Sequence, residues 1–225
     1  GGAGADYTSY VIIMEEISKK CASTGTFTTA AASLVSSPLL NFGTEDQKQK
    51  YLTRITSGEA IGAFGLTEPG AGSDAGGQTT TAVLDGDSYI LNGRKTFITN
   101  APIADFAIVI AVTERGKGVK GTAAFIVDMN LEGVSCGAHE DKMGIRATET
   151  SDLIFENVRV PKENILGKEG QGFKIAMHTL DTGRIGVAAQ ALGVAQGAMD
   201  EAVKYSKERV QFGKSLSKFQ DIQFK

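Results

Sequence analysis

A chain of 225 residues is long enough for one large domain or two smaller ones with a sizeable core. Its 41% hydrophobic and 22% charged residues are ordinary for a soluble globular protein, and a net charge of −3 argues against a dedicated nucleic-acid binder. No apolar run nears the roughly 20 residues that span a bilayer, and Cys21 and Cys136 lack any C-x-x-C or His-rich context, so membrane insertion, metal binding and redox pairing are not expected.

The chain opens on Gly1-Gly2-Ala3 and stops at Lys225 inside a helical pattern, so processing or partial coverage is expected to have removed both ends. Residues 1–60 read as helical. Tyr7, Val11, Met14, Ile17 and Cys21 recur at helical spacing behind a candidate N-cap, Asp6. An Ala-rich helix is predicted from about Gly25 to Leu40. A third helix opens on Thr44-Glu45-Asp46-Gln47, a capping box in which Thr44 and Gln47 satisfy each other's backbone amides. Gly58 is placed to take the left-handed conformation after it.

Residues 61–168 change period. Strand-like runs occur at Thr79–Leu84, Tyr89–Leu91, Lys95–Ile98, Phe106–Val112, Ala123–Val127 and Leu153–Phe155. Asp85-Gly86 and Asn92-Gly93 are predicted as hairpin turns between the first three. Short strands with such turns and no intervening helices predict an antiparallel sandwich or barrel, not a doubly wound nucleotide fold. From 169 to 225 helical spacing returns. A long helix is predicted from Phe173 to Arg209, with Ala189, Gly193 and Gly197 four apart so that another helix can approach. Its apolar portion, Ile185 to Met199, reads as buried. The fold class is therefore α+β: helices, an antiparallel β domain, then the start of a helical bundle.

Four stretches are candidate sites, and each also has a purely structural reading. In Phe64–Asp74 (FGLTEPGAGSD), Pro69, Gly70 and Gly72 suit a turn, while glycine amides beside Thr67 and Ser73 also suit an anion-binding nest. Phe97-Ile98-Thr99-Asn100, at the end of a predicted strand, reads on its own as a strand entering a turn at Asn100-Ala101-Pro102. Asp181-Thr182-Gly183-Arg184 sets opposite charges three apart in an apolar helix, which reads as a half-buried ion pair or as a site. Arg209 to Lys214 reads as a helix C-terminus with Gly213 as its stop; that reading leaves Phe212 and Gln220 unexplained. His139 and His178 have no hydroxyl or thiol partner recognisable in sequence. Lys117 and Lys120 sit in a Gly-rich hairpin, which suits a phosphate contact less well than a plain solvated loop.

Taken in order, FGLTEPGAGSD, FITN, DLIFENVRVPKENILG, GKEGQGF, LDTGRIGVAAQALGVAQGA and ERVQFGKSL resemble the acyl-CoA dehydrogenase family of flavoenzymes over the whole chain, most closely its bacterial butyryl-CoA (short-chain) members. The resemblance implies FAD-dependent α,β-dehydrogenation of a short-chain acyl-CoA, electrons passed to an electron-transfer flavoprotein, and a homotetramer sharing FAD sites. It implies Phe64, Leu66 and Thr67 at the flavin ring, Gly72 and Ser73 at the diphosphate, and Phe97, Ile98 and Thr99 on the ring's other side, where many relatives carry Trp at the position of Phe97. It implies that Arg209, Gln211, Phe212 and Gln220 reach the FAD of a neighbouring subunit, and that Ser73 and Asp181, Thr182, Gly183 and Arg184 border the acyl-CoA. The family's usual base glutamate lies beyond Lys225; a minority place it where this chain has Gly183. Glu68 is not the expected base. Reductase, oxidase and silent-subunit readings share the scaffold. A bacterial cytoplasm is the implied compartment, with the mitochondrial matrix as its eukaryotic alternative.

Overall fold

The computed structural model describes residues 2–225. Helix α1 (Tyr7–Lys20) is capped by Asp6, which accepts from the Ser9 amide at 2.8 Å. Met14 and Ser18 are its buried residues, while Tyr7 and Cys21, the ends of the predicted stripe, are exposed. Helix α2 (Ala22–Thr29) continues through a π-helical stretch, Ala30–Ser36, into α3 (Ser37–Phe42). Thr44 and Gln47 form the predicted capping box at α4 (Glu45–Gln47), which runs through a second π turn into α5 (Thr53–Thr56), and Gly58 follows at φ +79°. Gln47 also donates to Glu163 and Ile165 carbonyls at 2.9 Å, tying this helix to the far end of the sheet.

Eight strands make one sheet: β1 (Gly62–Gly65), β2 (Thr81–Asp85), β3 (Ser88–Thr99), β4 (Phe106–Val112), β5 (Thr122–Asp128), β6 (Val134–Cys136), β7 (Thr150–Pro161) and β8 (Ile165–Leu166). Their order is β6-β7-β3-β2-β4-β5-β8, with β1 beside β4. The pairings are mostly antiparallel, as predicted, but β1 and β2 both run parallel to β4, so the sheet is mixed. Asp85-Gly86 makes the predicted hairpin, pairing Asp85 with Ser88.

Asn92-Gly93 does not. It lies inside β3, which is one twelve-residue strand where the sequence predicts two runs and a turn. Gly93 takes φ +148° at a register shift between β3 and β7, and a Cβ there would come within 2.5 Å of Thr80 Oγ1. The glycine marks a bulge with close backbone approach, for which positive φ is equally necessary.

The two faces of the sheet carry separate cores. Residues alternate along β4: Ala107, Val109 and Ala111 join Tyr89, Leu91, Phe125, Leu153 and Phe155 in a cluster internal to the β region. Phe106, Ile108 and Ile110 face Val35, Leu39, Tyr51, Ile175 and Ala176 of the helices. That second cluster fixes the helical layer against β1 and β4. Tyr89 also bonds Glu169, anchoring the loop before the long C-terminal helix; burial first, then that carboxylate, push its phenol up to about 12.

Helix α6 (Gly172–Glu208) matches the predicted long helix and packs along α1. Only one of its faces is covered. Ile185, Val187, Leu192, Val194 and Met199 are exposed, so the apolar stretch read as buried is half so. The helix ends on its own at Glu208, with Arg209 extended as its cap. Gly213 is not the stop: it is the second turn residue of a hairpin, β9 (Val210–Gln211) and β10 (Lys214–Ser215), whose first turn residue is Phe212. The chain closes with α7 (Gln220–Phe224).

Candidate active site

Strand β1 leads apolar residues into Phe64–Asp74, and two backbone contacts settle that loop's conformation. Glu68 and Ala71 bond each other's amides at 3.1 and 3.0 Å, closing a tight turn over Pro69-Gly70. The Thr96 amide of β3 donates to the Thr67 carbonyl at 2.8 Å. The loop therefore lies against the strand that carries FITN, although 29 residues separate Thr67 from Thr96 in sequence.

Within FITN the strand departs from regular geometry. A register shift separates Lys95 from Ile98, and Phe97, inside it, takes φ +58° with its ring 65% exposed. Left-handed backbone is unfavourable for a bulky residue. The bulge turns the aromatic side chain off the alternation that would otherwise bury it. Asn100 follows, also left-handed, and starts a short 3-10 turn.

Both segments line one cleft of about 160 Å³. Phe64, Leu66 and Thr67 line it from the loop, Phe97, Ile98 and Thr99 from the strand, and Ala30, Leu34 and Val35 from the π-helical stretch, with Gly62 and Leu180 beside them. π turns recur at functional sites. The sequence drew no attention to Ala30, Leu34 and Val35, because a widened turn depends on what the helix packs against. All six residues expected at the flavin ring from the FGLTEPGAGSD and FITN motifs are brought together here. The lining is apolar apart from two threonines, and no titratable side chain among the described residues lines it.

Glu68 points the other way. Its side chain is 2% exposed and accepts from Thr79 N at 2.6 Å, Thr79 Oγ1 at 2.8 Å, Thr80 N at 2.9 Å and Lys95 Nζ at 2.8 Å. Burial alone would raise its pKa; the bonds from Lys95 and Thr80, and the Lys95 charge, outweigh that and hold it at about 2. A carboxylate so bound is a poor proton acceptor, in line with the expectation that it is not the base. Lys95, completely buried, also donates to Leu66 O and Gln78 Oε1, each at 3.0 Å, and burial pushes it down to about 8 against the pull of Glu68. No motif flagged Lys95, since its partners lie 17 to 29 residues away.

The remaining expected residues lie outside the cleft. Gly72 and Ser73 are exposed at the end of the loop. Asp181 and Arg184 stand 3.7 Å apart with side chains 76% and 73% exposed, so the half-buried ion pair offered as their structural reading is not what holds them. Gly183 is buried against Leu34 of the π-helical stretch, and Leu180, not the charged pair, reaches the cleft. Arg209, Gln211, Phe212 and Gln220 are all exposed at the far end of α6. Phe212 takes φ +52° at the hairpin tip and is 93% exposed. The 28 residues of helix from Leu180 to Glu208 put this group about 40 Å along the axis from the cleft. His139 is exposed and paired with Glu149, and His178 meets the edge of Phe42. Lys117 pairs with Glu114 at the surface.

Three family models match the chain: acyl-CoA dehydrogenase N-terminal domain over residues 1–59, middle domain over 63–158 and C-terminal domain over 170–225. The short-chain specific acyl-CoA dehydrogenase of Clostridium acetobutylicum is 56% identical over 99% of this chain and 59% of its own length. The caffeyl-CoA reductase–Etf complex subunit CarC of Acetobacterium woodii is 56% identical over 100% and 59%. The butyryl-CoA dehydrogenase structure from Megasphaera elsdenii superposes with a TM-score of 0.95 at 53% identity, covering 99% of this chain and 58% of that one. An acyl-CoA dehydrogenase from Bacillus anthracis complexed with FAD gives 0.92 at 40%, covering 99% and 38%. The chain thus spans about three fifths of the length of the curated relatives it matches.

Proposed function

The chain belongs to the acyl-CoA dehydrogenase family, and from that premise we propose that it is the greater part of an FAD enzyme that converts a short-chain acyl-CoA to its trans-2-enoyl-CoA and passes the electrons to an electron-transfer flavoprotein. The observation that carries the proposal is the cleft in which Phe64, Leu66 and Thr67 meet Phe97, Ile98 and Thr99.

These residues suit a flavin on their own chemistry. Phe97 keeps a strained backbone and an exposed ring beside an apolar slot, which a planar aromatic ligand would cover. Gly70 and Gly72 have no positive φ, and a Cβ on either would meet nothing within 4 Å. Neither turn geometry nor packing within the chain demands glycine there, whereas a phosphate approaching the backbone does. Bound FAD supplies the acceptor for the hydride leaving the substrate's β carbon.

The chain's own residues orient and desolvate. We assign Thr67 to the flavin's N1/O2 edge, where a donor favours the charge that reduction places there, and Thr99 to the neighbourhood of N5. Gly72 and Ser73 take the diphosphate, and Ser73 with Asp181, Thr182, Gly183 and Arg184 borders the acyl-CoA. Ala30, Leu34, Val35 and Leu180 exclude water from the reacting carbons. Removing a weakly acidic α proton needs a carboxylate of raised pKa. On the family resemblance we assign that base to a glutamate beyond Lys225; Glu68 is pinned and position 183 is glycine. The 40 Å offset supports placing Arg209, Gln211, Phe212 and Gln220 at the FAD of a second copy, within a tetramer. No helix among the described residues is long and apolar enough to cross a membrane; our reading places the enzyme in a bacterial cytoplasm, or in the mitochondrial matrix if the source is eukaryotic.

Anaerobic addition of butyryl-CoA to the full-length protein should bleach the flavin band, and electron-transfer flavoprotein, not air, should restore it. A band unmoved by acyl-CoAs of any length would refute the proposal. A second reading, enoyl-CoA reduction, has support in the Acetobacterium relative, whose identity to this chain equals that of the Clostridium dehydrogenase. Faster turnover of crotonyl-CoA with reduced flavoprotein than of butyryl-CoA with the oxidised form would favour it.

A further inference from the structure

Among the described residues Lys95 is the one buried lysine, fully enclosed beside the two walls of the cleft yet absent from its lining. Its backbone belongs to β3, two residues before Phe97. Its ammonium bonds the Leu66 carbonyl of the other wall, Glu68 Oε1 just beyond it, and Gln78 Oε1. The adjacent residue, Thr96, adds the amide bond to Thr67. Strand β1, which leads into the first wall, pairs in the sheet only with β4. Among the described residues, the hydrogen bonds from β3 to Leu66–Glu68 are those of Lys95's side chain and one backbone bond. The same two residues stand at the start of the bulge that sets Phe97 at positive φ.

A buried charge is a costly way to fasten a loop. An ion pair taken out of water commonly contributes no more stability than apolar side chains of the same volume. What an ammonium does that a leucine does not is fix three acceptors at defined distances and directions. We propose that Lys95, braced by Glu68, is a positioning residue that sets the spacing and tilt of the Leu66–Thr67 wall relative to the Phe97–Thr99 wall, and so the geometry in which the flavin ring is held. The proposal rests on the reading of this cleft as the flavin site. Lys95 acts through Leu66 and Glu68, and touches neither substrate nor ring.

The test compares full-length parent, Lys95→Met, Glu68→Gln and the double variant Lys95→Met/Glu68→Gln. Apoprotein melting, FAD affinity by reconstitution, the visible spectrum of bound flavin and exchange of the Thr96 amide are measured for each. If the pair were merely structural, this uncharged double variant, which keeps an acceptor for Thr79 and Thr80, would recover both stability and flavin binding. The expected result is a double variant melting close to the parent, binding FAD at least tenfold more weakly with an altered ring spectrum, and exchanging Thr96 at least tenfold faster. Parent-like affinity and spectrum in the double variant would overturn the proposal. Should that variant not fold, Glu68→Gln, a near-isosteric change, decides by the same readouts. Failure of the parent itself to bind FAD would instead refute the flavin reading, and Thr96 exchange in the apoproteins would then show on its own whether Lys95 fastens the loop.

Discussion

Gly193 of α6 lies directly on the backbone of Glu15: a Cβ at 193 would stand 2.2 Å from the Glu15 carbonyl oxygen and 3.0 Å from Ser18 Cβ. A carbonyl cannot rotate away as a side-chain tip can. Gly193→Ala should therefore force α1 and α6 apart. Overpacking of this kind costs about 1–3 kcal/mol, against about 1 kcal/mol regained from alanine's helix propensity. Gly183, ten residues earlier on the same helix, meets only Leu34 Cδ2 at 3.3 Å, a flexible end. Urea denaturation should show a net loss of up to about 2 kcal/mol for Gly193→Ala and none for Gly183→Ala.

That contact was foreseeable, since Ala189, Gly193 and Gly197 recur every four residues and only close helix packing justifies two glycines in a helix. The capping box at Thr44 and the Asp85-Gly86 hairpin were equally legible because they are local: the residues that make the bonds are the motif. What sequence misplaced was decided by distant partners. Asn92-Gly93 announces positive φ, but whether the chain reverses or bulges there depends on Thr80 crossing Gly93. Gly213 likewise signals positive φ, and proves to be a hairpin residue after the helix has already ended. Lys95 lies in a strand pattern in which any single lysine reads as solvated; its burial follows from Glu68, 27 residues upstream. The left-handed Phe97 has no sequence signature at all. Motif order located both cleft walls, while the bond network joining them needed coordinates.

Gly93→Ala tests the bulge. At φ +148° a side chain is already strained, and its Cβ would sit 2.7 Å from Thr80 Cα. The substitution should cost more than about 2 kcal/mol, by strain and overpacking together. A true hairpin turn in open solvent would tolerate alanine at a smaller cost, so denaturation of Gly93→Ala beside Gly86→Ala, whose Cβ would meet nothing within 4 Å, separates the two geometries.

The acid limb of stability should carry a Glu68 signature. Its folded pKa, about 2, lies below the ordinary 4.5, so the unfolded chain binds this proton first. Stability from this group is therefore complete above about pH 4.5 and is lost as pH falls towards 2. The shift corresponds to roughly 3 kcal/mol at most. Lys95 stays protonated in both states throughout that window and adds nothing to the slope. Unfolding free energy measured from pH 5 to 3 should fall less steeply for Glu68→Gln than for the parent; parallel curves would mean that Glu68 titrates normally.

Phe212 is the last case. A phenylalanine with φ +52° at a hairpin tip, 93% exposed, contributes little to its own chain beyond an edge contact with Phe219 at 6.3 Å between ring centres. Both central positions of this turn have positive φ, which glycine or asparagine would satisfy without strain. Phe212→Gly should leave the melting of the isolated subunit unchanged or slightly raised. If the ring instead serves the flavin of a second copy, the same variant should lose FAD during gel filtration of the oligomer, with affinity at least tenfold weaker. Full retention of flavin by Phe212→Gly would remove Phe212 from the shared site and leave its strained conformation unexplained.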